Sequence, residues 1–297
     1  MKINKTLWNR ALTLDREFQS RGEEISRGKI QDALQITQAE SQNIIFALNN
    51  KDIIRSEPEQ LIAENERAIV LCDVHIPFQD ELCVQAIIEY ALQNKIDTFV
   101  LNGDIIDFYK ISRFIKNPTK KSVSNEIEET KKFLTELRYN FPEARIIFKQ
   151  GNHELRMEHY IMSNASEIYD LISDLLPIKL NFKELKIEYI MEPFSVGKLW
   201  VLHGHEKPAG GNPEWVCNVM WQYVYDHFCV GHFHRTQEKT FKSISGQTFN
   251  TNAIGYCAGK MEYAILNKWN QGFMRVDFST NGIFRTSNFK IQDGEIY

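Results

Sequence analysis

The sequence of 297 residues predicts an α/β fold that is preceded by a small helical unit. From Arg67 onward, short apolar runs alternate with helical patterns, as is typical of a sheet whose two faces are both buried. Residues 1–65 are polar and helix-favouring and contain no proline before Pro58. The length of the chain fits one large domain plus an appendage. We therefore expect a helical unit over residues 1–65 and an α/β domain over residues 66–297.

Five apolar runs are the predicted central strands of the larger domain. They are residues 68–71, 98–101, 144–148, 199–202 and 228–230. Between them, residues 80–94 favour a helix, and apolar residues spaced by three and four over 123–137 form one face of another helix. Near the end of the chain, two strand-like segments flank Asn281-Gly282, which predicts a β-hairpin.

An aromatic stretch at residues 221–225 has two interpretations. Its rings could stack on bases at the rim of a pocket. Alternatively, Val216, Val219, Met220 and Tyr223 form the buried face of a helix between two strands. We favour the buried helix.

Composition and charge argue against several classes of protein. Hydrophobic residues make up 43% of the chain and charged residues 25%, which argues against disordered, collagen-like and coiled-coil chains. With a formal net charge of −4, the chain lacks the excess of basic residues that nonspecific nucleic-acid binders carry. This net charge does not rule out a local basic groove. The five cysteines form no C-x-x-C pair, which favours reduced thiols and a cytoplasmic location. No stretch approaches the about 18 apolar residues of a membrane span, so no membrane partner is expected.

Side chains that can bind metals follow each of the five predicted strands. The clusters are Asp73-Val74-His75, Gly103-Asp104-Ile105-Ile106-Asp107, Gly151-Asn152-His153-Glu154, His203-Gly204-His205 and Gly231-His232-Phe233-His234. In an open α/β sheet, ligands bind beyond the carboxyl ends of the strands, so all five clusters can converge on one site. A single Asp after a strand is usually a cap and a single His is usually structural. Capping does not explain why six of the eight histidines lie in these clusters.

These motifs resemble those of the calcineurin-like metallophosphoesterases. The family's ordered pattern D-x-H, G-D-x-x-D, G-N-H-[DE], H-G-H and G-H-x-H is present from Asp73 to His234, and the resemblance covers roughly residues 67–290. Residues 103–109, 151–156 and 231–235 resemble the branch found in phages and prophages. The resemblance implies a four-layer αββα sandwich and a phosphoester hydrolase that uses two divalent metal ions.

The resemblance also implies which residues hold each metal ion. One ion would be bound by Asp73, His75, Asp104 and His234. The other would be bound by Asp104, Asn152, His203 and His232. Mixed imidazole and carboxylate ligands suit manganese, iron, zinc or nickel better than calcium, and manganese is the metal we favour. Two such ions clamp phosphoryl oxygens and lower the pKa of a bridging water, so we expect metal-bound hydroxide to attack phosphorus directly.

Five further residues receive roles from the same resemblance. His153 would stand beside the scissile bond without binding metal, and Asp107 would hydrogen-bond it and determine its tautomer. A helix cap is the alternative for Asp107. His205 is expected to line the pocket or contact substrate. Arg156 and Arg235 flank predicted ligands and could hold nonreacting phosphates, although solvated surface charges are the alternative.

The helical unit contains a pattern that resembles a helix-turn-helix. Residues 30–41 and 44–48 form two apolar-periodic segments around a turn at Ile36-Thr37. Residues 1–62 contain nine Lys or Arg and nine Asp or Glu, so charge gives DNA binding no support. Helical packing or oligomerisation is therefore the main alternative.

Together, the motifs predict a metal-dependent phosphoesterase, and the helical unit favours a nucleic-acid or nucleotide substrate. DNA or RNA would then be the partner, and the enzyme a phosphodiesterase or nuclease. Two alternatives stay open. One is a phosphomonoesterase similar to protein phosphatases, and the other is a DNA-binding regulator whose metal domain does not catalyse. The oligomeric state is not predicted.

Overall fold

A computed structural model describes most of the chain. The described residues are 5–22, 26–37, 41, 44, 66–113, 122–171, 175–207, 214–260, 267–279 and 282–297. The chain divides into two compact units, residues 1–59 and 60–297. The domain boundary predicted from composition, at residue 65, lies outside the described residues.

The smaller unit contains two described helices, α1 (Lys5–Ser20) and α2 (Arg27–Leu34). The side chain of Ser26 caps α2 by accepting a backbone N–H of its first turn. The helix ends where Gln35 adopts a left-handed conformation with φ 53°, which is a common way to terminate a helix. Residues 45–48, most of the second segment of the predicted helix-turn-helix, lie outside the described residues. The motif therefore stays a prediction.

The larger unit contains two β-sheets. The strands are β1 (Arg67–Leu71), β2 (Thr98–Asn102), β3 (Arg145–Lys149), β4 (Ile187–Ile190), β5 (Phe194–Val196), β6 (Leu199–Leu202), β7 (Phe228–Val230), β8 (Gln237–Lys242), β9 (Thr248–Ala253), β10 (Gln271–Phe278), β11 (Phe284–Gln292) and β12 (Glu295–Ile296). The first sheet has the order β12-β11-β10-β1-β2-β3-β4, and the second has the order β5-β6-β7-β9-β8. All five apolar runs singled out in the sequence form strands of these sheets.

Helices are described on both sides of the paired sheets. They are α3 (Glu81–Asn94), α4 (Val123–Asn140), α5 (Leu155–Asn164), α6 (Leu175–Lys179) and α7 (Val216–Val224), with short 3-10 turns at Tyr109–Ile111 and Ser166–Leu171. Asp80 caps α3 and Ser122 caps α4, each by accepting a backbone N–H three residues further on. None of the described helices combines the length and the hydropathy that are needed to cross a membrane.

Successive side chains of a strand point to opposite faces of its sheet, so each sheet can pack against a layer on either side. In β1, Ile69 contacts an apolar cluster that includes residues of α3 and α4, whereas Val70 contacts a cluster shared by the two sheets. A third cluster packs Met220 of α7 against Phe228 of the second sheet. Helix, sheet, sheet and helix therefore form the expected four-layer αββα sandwich, and the predicted fold class is confirmed. Each fully buried aliphatic or aromatic side chain in these clusters contributes about 1.5–3 kcal/mol.

Two local predictions can be compared with the structure. Strands β10 and β11 form the predicted antiparallel hairpin, in which Phe278 pairs with Phe284. The predicted buried face of α7 is wrong at Tyr223, whose side chain is 51% exposed. The buried face contains Cys217 instead, and the neighbouring Trp221 stacks on Phe241 of β8 with ring centroids 4.5 Å apart. This stacking and the burial of Val216, Cys217 and Met220 leave Tyr223 outside the buried face.

The direction of the strands positions the site. Strands β1, β2 and β3 run parallel, so their carboxyl ends share one edge of the first sheet. Strands β6 and β7 run parallel in the second sheet. The five clusters of metal-capable residues follow these five strand ends.

Candidate metal centre

The side chains predicted to bind metal meet at the carboxyl ends of the five strands. The donor atoms form three groups, and within each group the atoms lie within 4.8 Å of one another. The groups are Asp73, His75 and His234; His75, Asp104 and His153; and Asp104, His203 and His232. The second group contains His153, for which the sequence predicts a role beside the scissile bond and not metal binding. Because His75 and Asp104 each belong to two groups, the donors form one continuous site.

The turns that carry the donors have an unusual backbone. The φ angles are 55° at Asp73, 52° at His75, 54° at Asp104, 66° at His232 and 58° at His234. A non-glycine residue in this left-handed region costs about 1–2 kcal/mol. Such conformations persist where the surroundings enforce them and cluster at functional sites. In this protein they turn the chain tightly at the strand ends, so that the side chains share one small volume.

The first group is compact and almost fully buried. Asp73 Oδ1 lies 3.1 Å from His234 Nε2 and 3.8 Å from His75 Nε2, and the two Nε2 atoms are 3.3 Å apart. The second oxygen of Asp73 accepts the backbone N–H of His232 at 2.8 Å, which orients the carboxylate. Among the described residues, none hydrogen-bonds Nδ1 of His234.

The second set of donors comes from both sheets. His203 Nε2 lies 3.3 Å from Asp104 Oδ1 and 3.2 Å from Asn152 Oδ1. Nδ1 of His203 donates to the carbonyl oxygen of Asn102 at 2.7 Å. This bond places the proton on Nδ1 and leaves Nε2 free to bind a metal. The ring of His232 lies 5.2 Å from that of His203.

The electrostatics of these donors fit bound cations. Burial alone would raise the pKa of Asp73, but His234 holds it below its usual range. Burial likewise opposes ionisation of Asp104, and His153 and His203 lower its pKa. Against its own burial, Asp104 raises the pKa of His203 to about 10. The Nε2 atoms of His75 and His234 lie beside Asp73, and that of His203 lies beside Asp104, so metal cations can take the place of protons on these atoms.

Asp107 contacts two histidines. Its Oδ1 lies 2.9 Å from Nδ1 of His153, the contact expected from the sequence, and 3.0 Å from Nδ1 of His75. The sequence motifs carry no sign of the second contact. With Nδ1–H of His75 donating to Asp107, Nε2 of His75 is free to bind a metal. One carboxylate oxygen can therefore orient both a metal-binding histidine and His153.

Arg156 hydrogen-bonds both Asp107 and His153. It donates from Nη1 to the carbonyl oxygen of Asp107 and from Nη2 to Nε2 of His153, both at 2.7 Å. A nitrogen that accepts a bond from a guanidinium carries no proton, so His153 is neutral with its proton on Nδ1. Burial lowers the pKa of His153, which agrees with the neutral form.

The two other residues predicted to contact substrate are His205 and Arg235. The side chain of His205 is 19% exposed, and burial lowers its pKa to about 4. The His205 ring lies 5.4 Å from that of His203. Arg235 is partly buried near Glu214, whose pKa is lowered by Lys268 and, to a smaller extent, by Arg235.

Sequence reasoning missed the role of Glu154. Its buried carboxylate accepts the backbone N–H groups of Asp104 at 2.9 Å, Ile105 at 2.8 Å, Ile106 at 3.2 Å and Gly151 at 2.8 Å. These four bonds join the turn after β2 to the turn after β3. The available signal was the acidic fourth position of the G-N-H-[DE] motif.

Two aromatic rings beside His234 were also missed. Tyr256 stacks on the imidazole with ring centroids 5.1 Å apart and planes at 14°. Trp269 meets the same imidazole at 4.3 Å and 75°. Both residues lie on segments after the last motif, so spacing within the motifs carried no sign of them.

The fold and the donor set define a class of metal-dependent hydrolases, and sequence comparison identifies the family. The pattern of the calcineurin-like phosphoesterases matches residues 67–258, which is more than half of the chain. The chain therefore belongs to the calcineurin-like phosphoesterase family, and the resemblance stated above is confirmed. Membership implies a metal-dependent phosphoester hydrolase.

Individual proteins are similar to this chain at low sequence identity. The gene 54 protein of Mycobacterium phage L5 is 25% identical over 181 residues, which are 58% of this chain and 70% of that protein. Vps29 from Chaetomium thermophilum is 13% identical with a TM-score of 0.43, over 78% of this chain and 95% of that chain. A dimetal phosphatase from Danio rerio is 10% identical with a TM-score of 0.38, over 79% of this chain and 98% of that chain. The phage relative agrees with the phage-type branch that the motifs resemble.

We predict that Gly151→Ala disrupts the metal centre. A Cβ at Gly151 would overlap Oδ1 of Asp104 and lie 2.9 Å from Oε2 of Glu154. We expect Mn²⁺ affinity to fall at least about tenfold and the free energy of unfolding to fall by about 1–3 kcal/mol. Titration calorimetry and urea unfolding measure the two effects. The control is Gly28→Ala, where a Cβ meets no atom within 4 Å. Wild-type Mn²⁺ affinity in Gly151→Ala would contradict this close packing of Gly151 against Asp104 and Glu154.

We also predict that protonation of Glu126 stabilises the folded chain. Glu126 on α4 is buried, accepts the N–H of Tyr109 at 3.2 Å, and has a pKa raised to about 8 by burial and by Asp107. Because the pKa of Glu126 in the folded chain exceeds the ordinary glutamate value of 4.5, this stabilisation is complete below about pH 4.5 and is lost as pH rises through 8. Glu126→Gln resembles the protonated acid and removes this dependence.

Urea unfolding at pH 5, 6.5 and 8 tests the role of Glu126. The stability of Glu126→Gln relative to the wild type should rise with pH, by on the order of a few kcal/mol over this range. A stability difference that stays constant with pH would show that Glu126 ionises normally.

Proposed function

We propose that this protein hydrolyses phosphoesters with two divalent metal ions, manganese foremost, and that its substrate is a nucleic acid or a nucleotide. The observation that carries the proposal is the position of Asp104. Its Oδ1 lies 3.3 Å from Nε2 of His203, and its Oδ2 lies 3.6 Å from Nε2 of His153. The carboxylate also lies within 4.8 Å of a donor atom of His75, a proposed ligand of one ion, and of donor atoms of His203 and His232, proposed ligands of the other, as a carboxylate shared by two ions requires.

In this proposal each ion has four protein ligands. Asp73, His75, Asp104 and His234 hold one ion, and Asp104, Asn152, His203 and His232 hold the other. When bound, the ions would neutralise phosphoryl charge and make a water molecule nucleophilic at neutral pH. Imidazole and carboxylate donors suit manganese, iron, zinc and nickel. The buried, anionic character of Asp73 and Asp104 supports a cationic occupant.

His153, Asp107 and Arg156 do the remaining chemistry in this proposal. Asp107 keeps the proton of His153 on Nδ1, so Nε2 faces Arg156. A phosphate that enters the site offers Arg156 a better acceptor, and the guanidinium can then pair with a phosphoryl oxygen. Nε2 of His153 is thereby released to take up a proton from solvent water and to donate it to the leaving oxygen. His205 at the edge of the donor set and Arg235 are proposed to contact the rest of the substrate.

Two features support a nucleic-acid or nucleotide substrate. Tyr256 and Trp269 place aromatic rings beside His234, where a base of the substrate could stack. The helix-turn-helix prediction for the smaller unit points to the same class of substrate. A formal net charge of −4 disfavours broad nonspecific binding, so we propose action on ends or short strands. A cytoplasmic location stays a prediction.

Hydrolysis of model esters tests this proposal. Metal-stripped protein should hydrolyse bis-p-nitrophenyl phosphate only after Mn²⁺ is added. His153→Ala should lower kcat by about 10²–10⁴-fold, because it removes a proton-transfer group. His159→Ala is the matched control, since this histidine is exposed on α5, outside the donor groups. Metal-dependent release of nucleotides from DNA or RNA would then support the substrate class.

Two results would contradict the proposal in different ways. Turnover of p-nitrophenyl phosphate without turnover of the diester would favour the phosphomonoesterase alternative. Binding of two Mn²⁺ ions without turnover of any ester would favour a metal domain that does not catalyse, and DNA binding by the full chain would be measured next.

A further inference from the structure

A lysine is fully buried beside the metal centre. Lys149 is the last residue of β3, and its side chain has 0% exposure. Its Nζ lies 3.0 Å from Oε1 of Glu206 and donates to the carbonyl oxygens of Gln150 at 3.1 Å and Met191 at 2.9 Å. An ammonium group has three protons, so these three acceptors satisfy it completely.

The partner carboxylate holds a turn that carries a predicted ligand. Glu206 Oε1 accepts the backbone N–H of His203 at 3.0 Å, and Oε2 accepts that of Gly204 at 2.5 Å. Both oxygens of Glu206 therefore bond to the turn that follows β6. Glu206 lies outside the sequence motifs, and its role becomes visible only when the strands are assembled.

The Lys149–Glu206 ion pair joins the two sheets close to the predicted ligands Asn152 and His203. Lys149 ends a strand of the first sheet, and Glu206 follows a strand of the second. Asn152 is three residues after Lys149, and His203 is three residues before Glu206. Asn152 Oδ1 and His203 Nε2 lie 3.2 Å apart, so the pair connects the bases of the two turns that present them.

Stability alone is a poor explanation for this pair. Removing two charges from water is costly, and replacing a buried ion pair by apolar side chains is often neutral or stabilising. Arg145 and Glu188 form another ion pair of the first sheet, with Nε and Oε1 2.6 Å apart, and it involves none of the donor residues. Unlike the Arg145–Glu188 pair, the Lys149–Glu206 pair also bonds to the backbone of a ligand-bearing turn.

We propose that Lys149 and Glu206 are positioning residues that set the separation of Asn152 and His203 and so determine the affinity of the metal ion bound between them. The inference rests on the proposed two-metal function. Asp73, His75 and His234, which are proposed to hold the other ion, receive no hydrogen bond from the pair. Loss of the pair should therefore weaken one ion selectively.

Titration calorimetry of Mn²⁺ into metal-stripped, full-length protein tests this selectivity. We expect two ions in the wild type. In Glu206→Gln, a nearly isosteric change, one ion should bind at least tenfold more weakly while the affinity of the other is unchanged. Lys149→Met should have the same effect, and the double variant should be no weaker than the worse single variant, because the two residues act as a unit. Glu188→Gln is the control and should bind both ions as the wild type does.

The outcomes separate this inference from the proposed function. Wild-type affinity for both ions in a cooperatively melting Glu206→Gln would overturn the inference, as would equal weakening of both ions. Binding of two ions by the wild type without ester hydrolysis would count against the proposed function alone. Fewer than two ions in the wild type would overturn the two-metal proposal and this inference together.

Discussion

The carboxylate of Asp104 is the group on which the rest of the centre depends, and Glu154 keeps it in place. Four backbone N–H groups converge on Glu154, and one of them belongs to Asp104 itself. In return, Asp104 Oδ1 accepts the N–H of His153 at 2.8 Å. These reciprocal bonds lock the turns after β2 and β3 together. A carboxylate held in this way needs no reorganisation when charge develops near it, which is the main advantage of a preorganised site.

The candidate ligands are divided between the two sheets. Asp73, Asp104 and Asn152 follow strands of the first sheet, whereas His203 and His232 follow strands of the second. The apolar cluster shared by the sheets, which includes Val70 and Val201, therefore positions the candidate ligands as well as stabilising the fold. Close packing transmits small displacements through such a layer, so a change of volume there reaches the metal centre.

Much of this arrangement could be predicted from the sequence. Runs such as Phe228-Cys229-Val230 predict buried strands because their period and apolar character match a sheet covered on both faces. The donor clusters follow these runs directly, so their convergence follows from the topology of parallel strands. The interaction of Asp107 with His153 followed from the family resemblance. Its second bond, to His75, depends on how two turns approach each other, and spacing along the chain does not specify that approach.

Other features could not be predicted because each depends on partners distant in sequence. Lys149 and Glu206 look like ordinary surface charges until the two sheets are brought together. Trp269 lies far along the chain from the histidine that it contacts, in a segment with no motif. The sequence wrongly predicts that Tyr223 lies on the buried face of α7. Periodicity indicates which residues share one face of a helix, but it does not determine how the helix is rotated towards the core. The rotation comes from tertiary packing, here from the stacking of Trp221 on Phe241.

Anomalous X-ray diffraction from crystals soaked in Mn²⁺ would show whether two metal ions share the carboxylate of Asp104, as we propose. Two anomalous peaks about 3.5–4 Å apart, one on each side of Asp104, are the predicted result. A single peak, or two peaks of which only one lies within bonding distance of Asp104, would contradict it.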